Sequence, residues 1–320
     1  MTSTRSGAAN PQSARTSHLG NRVFAGISTA AGWFILVTLA AVALFLIVRA
    51  WPAFTANSAD LEAVSILRGR SLLEFVAPLL FGTILSSAIA LLIAVPLSIG
   101  IALFISHYAP RRLAQTIGYI VDLLAAIPSV IYGLWGARWL MGNIDPVFEW
   151  LTTHLGFIPI FQDYVPPARN ITTASLVLAV MILPIITATI REVFLQTPVL
   201  HEEASLALGA TKWEVIKQAV LPFARSGIIS AAMLGLGRAL GETMAVLMIL
   251  SPGFFINFFL LKPGQHQSIA ANIAAQFPEA SGLGVNILIA TGLILFVITF
   301  LVNFAARAII ARRAEFSGAN

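Results

Sequence analysis

Cysteine is absent from this 320-residue chain. That excludes a disulfide framework and any thiolate metal site, and leaves the redox compartment open. Charge is scarce as well: 10% of residues are Asp, Glu, Lys or Arg, against 58% hydrophobic, a balance well outside that of soluble domains. No G-x-x-x-x-G-K-[ST] phosphate loop occurs, so any nucleotide that powers this chain is bound elsewhere. His201 and Glu202 lack partners at metal-ligand spacing, and no metal site is expected.

What is present is a set of long uncharged runs, 23–48, 75–106, 170–190, 243–261 and 280–306, each near or above the roughly 20 residues that cross a bilayer core. The reading is an all-α integral membrane protein with six transmembrane helices, at about 28–51, 76–105, 114–140, 172–195, 224–250 and 284–310. Residues 1–22, rich in Ser, Thr, Ala and Gly with scattered arginines, read as a disordered tail, and 311–320 as a second tail. The apolar stretch after Arg22 is longer than a signal-peptide core and has no clear cleavage site, so it is expected to stay attached. Tryptophans 51, 135, 139 and 150 fall near expected outer ends and suit interfacial anchoring.

An even number of spans puts both termini on one side. Twelve of the nineteen basic residues fall in the termini and in the loops around 110 and 210, which the positive-inside bias places in the cytoplasm of a multi-pass protein of the plasma membrane. The net charge of +5 sits beside helix ends, where it meets anionic lipid headgroups; nucleic-acid binding is not expected.

The loop between the fourth and fifth spans, 197–222, contains "HEEASLALGATKWEVIKQAVLP". Thr197 and Pro198 suit an N-cap and a first helical position, Gly209 suits a left-handed cap, and Thr211 with Glu214 forms a capping box. Pro222 ends the second helix. Ala204 and Leu208 on one face, bent by the glycine towards Trp213, Ile216 and Val220, offer a knob for a partner's groove. An amphipathic helix on the membrane surface is the other reading of the same residues.

Glu203-Ala204-Ser205, Gly209 six residues after the glutamate, and Leu221-Pro222 closely resemble the E-A-A-x-x-x-G-x(9)-I-x-L-P loop of importer permeases driven by ATP-binding cassette proteins. Ser205 and Ala219 depart from that pattern, each by a small or apolar change. The resemblance implies the type I importer permease fold and a loop that docks as a coupling helix into the ATPase. "LLIAVPLSIGIALFISHYAP" (91–110), "AAIPSVIYGLWG" (125–136) and "GRALGETMAV" (237–246) look like the phosphate-uptake permeases, and Met244-Ala245 after Gly-Glu-Thr resembles the PstC type. The resemblance implies a homologous PstA-like permease subunit, a PstB-like ATPase dimer that binds ATP and Mg, and an external PstS-like phosphate-binding protein. No cofactor and no catalytic residue is expected in this chain.

Arg238 and Glu242 stand in an almost wholly apolar stretch. Arg238 lies thirteen residues beyond Arg225, roughly 20 Å along a helix. A bare charge there costs at least about 2.5 to 3.5 kcal/mol, whereas an i,i+4 pair contributes only about 0.2 to 0.5 kcal/mol in isolated helices. The two charges therefore face a partner, a water-filled path or each other. Gly237, Gly241 and Ala245 form a small-residue stripe that implies close approach of another helix. A guanidinium matches an oxyanion's forked acceptors, which makes Arg238 the candidate anion contact. Glu242 either accepts the proton that phosphate retains or neutralises the arginine in another conformation; a purely structural pair is the alternative.

Asp122, ahead of a kink expected at Pro128, and Arg191 are weaker pathway candidates, with a place at the membrane interface as the plainer reading. A molybdate or sulfate permease, or a membrane scaffold or sensor component using the same loop, are the alternative functions. The stretches 52–74, 142–171 and 252–282 are expected outside, against the binding protein.

Overall fold

The computed structural model describes residues 18–314, and tail residues 1–17 and 315–320 lie outside them. The described chain is helical. In order it forms α1 (His18–Thr55), α2 (Ser58–Glu62), α3 (Leu72–Leu103), α4 (Arg111–Ala125), α5 (Ser129–Trp135), α6 (Met141–Leu155), α7 (Ile171–Leu195), α8 (Val199–Ala207), α9 (Lys212–Val215), α10 (Leu221–Leu240), α11 (Met244–Ile249), α12 (Ile269–Gln276) and α13 (Leu283–Ala314). Among the described residues five helices are long and apolar enough to cross a membrane, and a sixth span results if the bent pair 111–125 and 129–155 counts as one.

The chain divides into two units, one ending at Arg49 and one from Ala50 onward. The first holds α1 as far as Arg49, mostly exposed, whereas Ala50 and Ala53 near the end of α1 are buried and belong to the second. Helix formation starts at His18, so 18–22 belong to this helix and not to a tail: no proline interrupts the i→i+4 ladder there, and one glycine inside a long helix is tolerated. At the other end α13 runs to Ala314, past the expected end at 310, for the same reason.

The second unit is built on α3 and α7. A capping box between Ser71 and Glu74 starts α3 four residues before the expected 76, and Asn170 caps α7 by accepting from Thr173 N. The two run parallel: Ser98 Oγ donates to Leu183 O at 3.1 Å, and two turns further on His107 lies edge-on to Phe194. Small residues at their contact, Ala90, Ala94 and Ala102 on α3 with Ala174 and Ala179 on α7, let the backbones approach where lipid supplies no hydrophobic drive. Antiparallel to them, α10 brings Gly227 against Val193 and Gly235 against Ile186; a Cβ at either glycine would sit 2.5 Å from the facing side chain.

Two expected spans are discontinuous. The third, taken as one helix over 114–140, is α4 followed by α5 at a 94° bend, and it continues through α6 to Leu155. Pro128 causes the break, because it has no N–H and pushes Ile127 out of the helical region. The fifth, expected over 224–250, instead runs continuously over Lys212–Leu240, stops at Gly241, and resumes as α11. Pro222 does not end a helix. A π-turn at Ile216–Val220, closed by the Leu221 N–H on Ile216 O, widens the backbone just ahead of it, which relieves the clash of the proline ring with the preceding turn.

Residues 251–268, part of the stretch expected outside, fold back along α3. Gln267 O lies where a Cβ on Gly82 would be, at 2.3 Å, and Ile269 N donates to Thr83 Oγ1 at 2.9 Å. The segment closes on itself through Gly253 N to His266 O and Phe255 N to Gln265 O. Asn170 and Thr172 bond its carbonyls at Leu261 and Leu260. Its His266 is almost wholly buried, and burial pushes that imidazole below its ordinary range.

Candidate functional site

Arg238 and Glu242 fall on either side of the break in the fifth span. Arg238 is in the last turn of α10, half-buried, and among the described residues it has no ion-pair partner. Glu242 is 8% exposed, and its Oε1 accepts from Ala245 N at 3.0 Å, satisfying a free donor at the start of α11. The i,i+4 pairing of an unbroken helix is therefore not formed. Each charge instead meets a helix end of opposite partial charge: the guanidinium lies at the carbonyl end of α10, the carboxylate at the amide end of α11. Gly241 supplies the stop, since glycine is about 1 kcal/mol worse than alanine inside a helix.

The small-residue stripe is split by the same break. Gly237 has open space on its Cβ side and Gly241 meets only Gly237 O, whereas Ala245 is packed within the chain, its Cα 2.8 Å from where a Cβ on Gly133 would be. Gly136 likewise admits Val177 and Ile249. Helices α5 and α11, each the continuation of a broken span, are thus pressed together through glycines. Across the third-span break Tyr132, 7% exposed, donates to Leu124 O at 2.8 Å, covering a carbonyl at the end of α4. Nothing in the sequence separates Tyr132 from an ordinary interfacial tyrosine, because the bond exists only once the chain bends.

At the opposite end of α10 the weaker candidates meet. Arg191 on α7 lies 2.9 Å from Glu192 and 3.6 Å from Asp122 on α4. Its guanidinium rests on Gly118, where a Cβ would be 2.5 Å from Nη1. Ile105, Gln115, Tyr119, Asp122, Arg191 and Leu195 are among the residues lining a cavity of about 280 Å³ beside it. Two carboxylates oppose one guanidinium here, so its charge is committed locally.

In the 197–222 loop Gly209 has φ +86°, and the Thr211–Glu214 capping box is formed. Thr197 is not the cap; Pro198 holds that position without a side-chain bond, and the Thr197 hydroxyl is buried without a partner. Glu203, Ala204 and Gly209 are exposed, Ser205 is half-buried, and Leu208 is 90% exposed. Of the apolar residues expected on the knob, Trp213 is 58% exposed, but Ile216 and Val220 are buried at 2% and 0%. They anchor the loop on the bundle, because the π-turn rotates them inward. Leu221 is half-buried and Pro222 exposed.

Residues 94–315 match the profile of the binding-protein-dependent transport system inner membrane component family. The chain belongs to this family, and with its long apolar helices it is a multi-pass membrane component of a transport system. Among curated relatives, the phosphate transport system permease protein PstC 2 of Mycobacterium tuberculosis is 46% identical over 303 residues, 92% of this chain and 93% of the relative. PstC of Haemophilus influenzae is 38% identical over 302 residues, 89% and 91% of the two chains. A chain of a bacterial alginate ABC transporter, solved with its alginate pentasaccharide-bound periplasmic protein, superposes with a TM-score of 0.60 at 15% identity, covering 91% of this chain and 94% of that one. A chain of the inward-facing MetNI methionine ABC transporter gives 0.51 at 18% identity, covering 76% and 94%. The fold is that of type I ABC importer permeases.

Proposed function

We propose that this chain is the PstC-like permease subunit of an ATP-driven importer of inorganic phosphate. It forms half of the translocation pathway with a homologous PstA-like subunit, receives phosphate from an external PstS-like binding protein, and docks on a PstB-like ATPase dimer. ATP and Mg are held by that dimer, and this chain does no chemistry. Both termini and the 197–222 loop are cytoplasmic, in keeping with the positive-inside bias. The names of the relatives favour phosphate over molybdate or sulfate. The scaffold or sensor reading has no comparable support.

The observation that carries the pathway assignment is Arg238. It lies roughly 20 Å along the helix from Arg225, held at a helix terminus, half-buried, and without a carboxylate partner among the described residues. A guanidinium so placed has donors to give to an oxyanion. With Glu242 engaged by the α11 backbone, the glutamate sets the position of the break and, four residues along the chain, is available to compensate Arg238 between substrates.

In the cytoplasmic loop, Leu208 and Trp213 stand out from a helix pair seated by Val215, Ile216 and Val220, an apolar projection suited to a cleft of the ATPase. Glu203, Ala204, Ser205, Gly209, Leu221 and Pro222 form the coupling motif. Phosphate uptake into proteoliposomes, reconstituted from the two permeases, the ATPase and the binding protein, is expected only when this chain is present. Excess sulfate or molybdate should leave uptake unchanged. Uptake without this chain would overturn the assignment, and competition by either anion would reassign the substrate.

A further inference from the structure

The coupling loop carries two consecutive glutamates that go to different places. Glu203 is exposed. Glu202 turns back to the bundle, where its Oε1 lies 3.6 Å from His107 Nε2, with side-chain exposures of 28% and 16%. His107 sits in the π-turn Phe104–Tyr108 that ends α3. Its Nδ1 donates at 2.6 Å to the Ser106 hydroxyl, whose own proton goes to Ala102 O, and Nε2 faces Glu202, an ion pair when the ring is protonated. Its ring stands edge-on against Phe194 in the last turn of α7, at 6.2 Å and 79°.

One side chain therefore touches three elements: α3 by the backbone, α7 by the ring and α8 by Nε2. The helix it holds has little else to hold it, since α8 buries none of its residues. Val199, Leu200, Leu206 and Leu208 are all exposed. Its packing is against α9 and the π-turn at Ile216–Val220 rather than against α3 and α7. The polar tie is what joins it to those two helices.

We infer that His107 is a positioning residue that transmits movement of α8 to α3 and α7, with Glu202 as its counterpart. Glu203 faces the ATPase and Glu202 faces the membrane helices, so the dipeptide joins the two. This rests on reading 197–222 as the coupling loop.

The test uses the full importer in proteoliposomes, reading phosphate uptake and ATP hydrolysis together. His107→Phe keeps the ring on Phe194 and removes both nitrogens. It is expected to lower uptake by about tenfold while hydrolysis stays within about twofold, the size of effect seen when a coupling residue is removed. His107→Gln, which retains a donor, should recover part of the loss. Glu202→Gln combined with His107→Phe should be no worse than His107→Phe alone. Uptake and hydrolysis falling in proportion, or neither changing, would overturn the inference.

The chain has no native cysteine, so a second arm joins His107→Cys to Glu202→Cys with a short bifunctional reagent. Before linking, uptake should be as low as in His107→Phe, and the link should restore it, because the pair moves as one body; no recovery on linking would also overturn the inference. Failure of the underlying reading shows separately. Leu208→Asp should release the ATPase from the complex, and retention of the ATPase would refute the coupling loop whatever His107 does.

Discussion

Two spans of this protein are broken, and they are broken by different means. The third stops at Pro128, where a missing N–H and a blocked conformation at Ile127 leave no helical alternative. Tyr132 then covers the Leu124 carbonyl. The fifth stops at Gly241, which disfavours a helix without forbidding one, and Glu242 completes the break by bonding Ala245 N. One break is covalent and permanent. The other rests on about 1 kcal/mol from the glycine and a similar amount from the capping bond, and it is the one that carries charge. Arg238 and Glu242 are favourably placed only while both new helix ends exist, since a continuous helix offers neither.

The difference can be sharpened by removing each device. Glu242→Ala takes away both the acceptor for Ala245 N and the charge four residues along the chain from Arg238. Loss of a cap costs about 1 kcal/mol and up to 2, so uptake should fall by about tenfold. Glu242→Gln keeps an acceptor oxygen and should preserve thermal stability better than alanine, which separates the capping role from the charge. Next in size, Gly241→Ala favours a continuous helix by about 1 kcal/mol, for an uptake loss of about fivefold. A Cβ at Gly241 would meet only Gly237 O, at an ordinary contact distance of 3.7 Å, so no steric cost confounds this. Tyr132→Phe is the smallest. Removing one hydrogen bond costs about 1 kcal/mol of stability, visible as a lower melting temperature. Uptake should stay within about twofold, because Pro128 still enforces the bend. If Tyr132→Phe damaged uptake more than Gly241→Ala, the distinction between the breaks would fail.

What was legible in the sequence was local. The Thr211–Glu214 capping box and the left-handed turn at Gly209 involve residues within four of one another, and spacing alone places them. The burial of Ile216 and Val220 was not legible, because a π-turn advances the helix face by an amount that helical periodicity does not anticipate. For Arg238 and Glu242 the spacing was misleading: four residues apart means one face of a helix only if the helix continues. Gly241 and Thr243 on either side of the glutamate were the available signal, a stop residue followed by a weak helix former. His107 lay inside a stretch already matched to the family, yet its partner is 95 residues away, and no periodicity links them. The folding-back of 251–268 along α3 was equally hidden, since it depends on Gly82 admitting the Gln267 carbonyl.

We propose that Arg238, half-buried in the last turn of α10, holds the anion in transit. Arg238→Gln in the reconstituted importer tests it most directly, reading phosphate uptake alongside recovery of the assembled complex. A hydrogen bond to a charged group is worth about 1.5 to 3 kcal/mol, so uptake should fall by about tenfold to a hundredfold or more while the complex assembles at normal yield. Normal uptake, or loss of assembly together with uptake, would contradict the account.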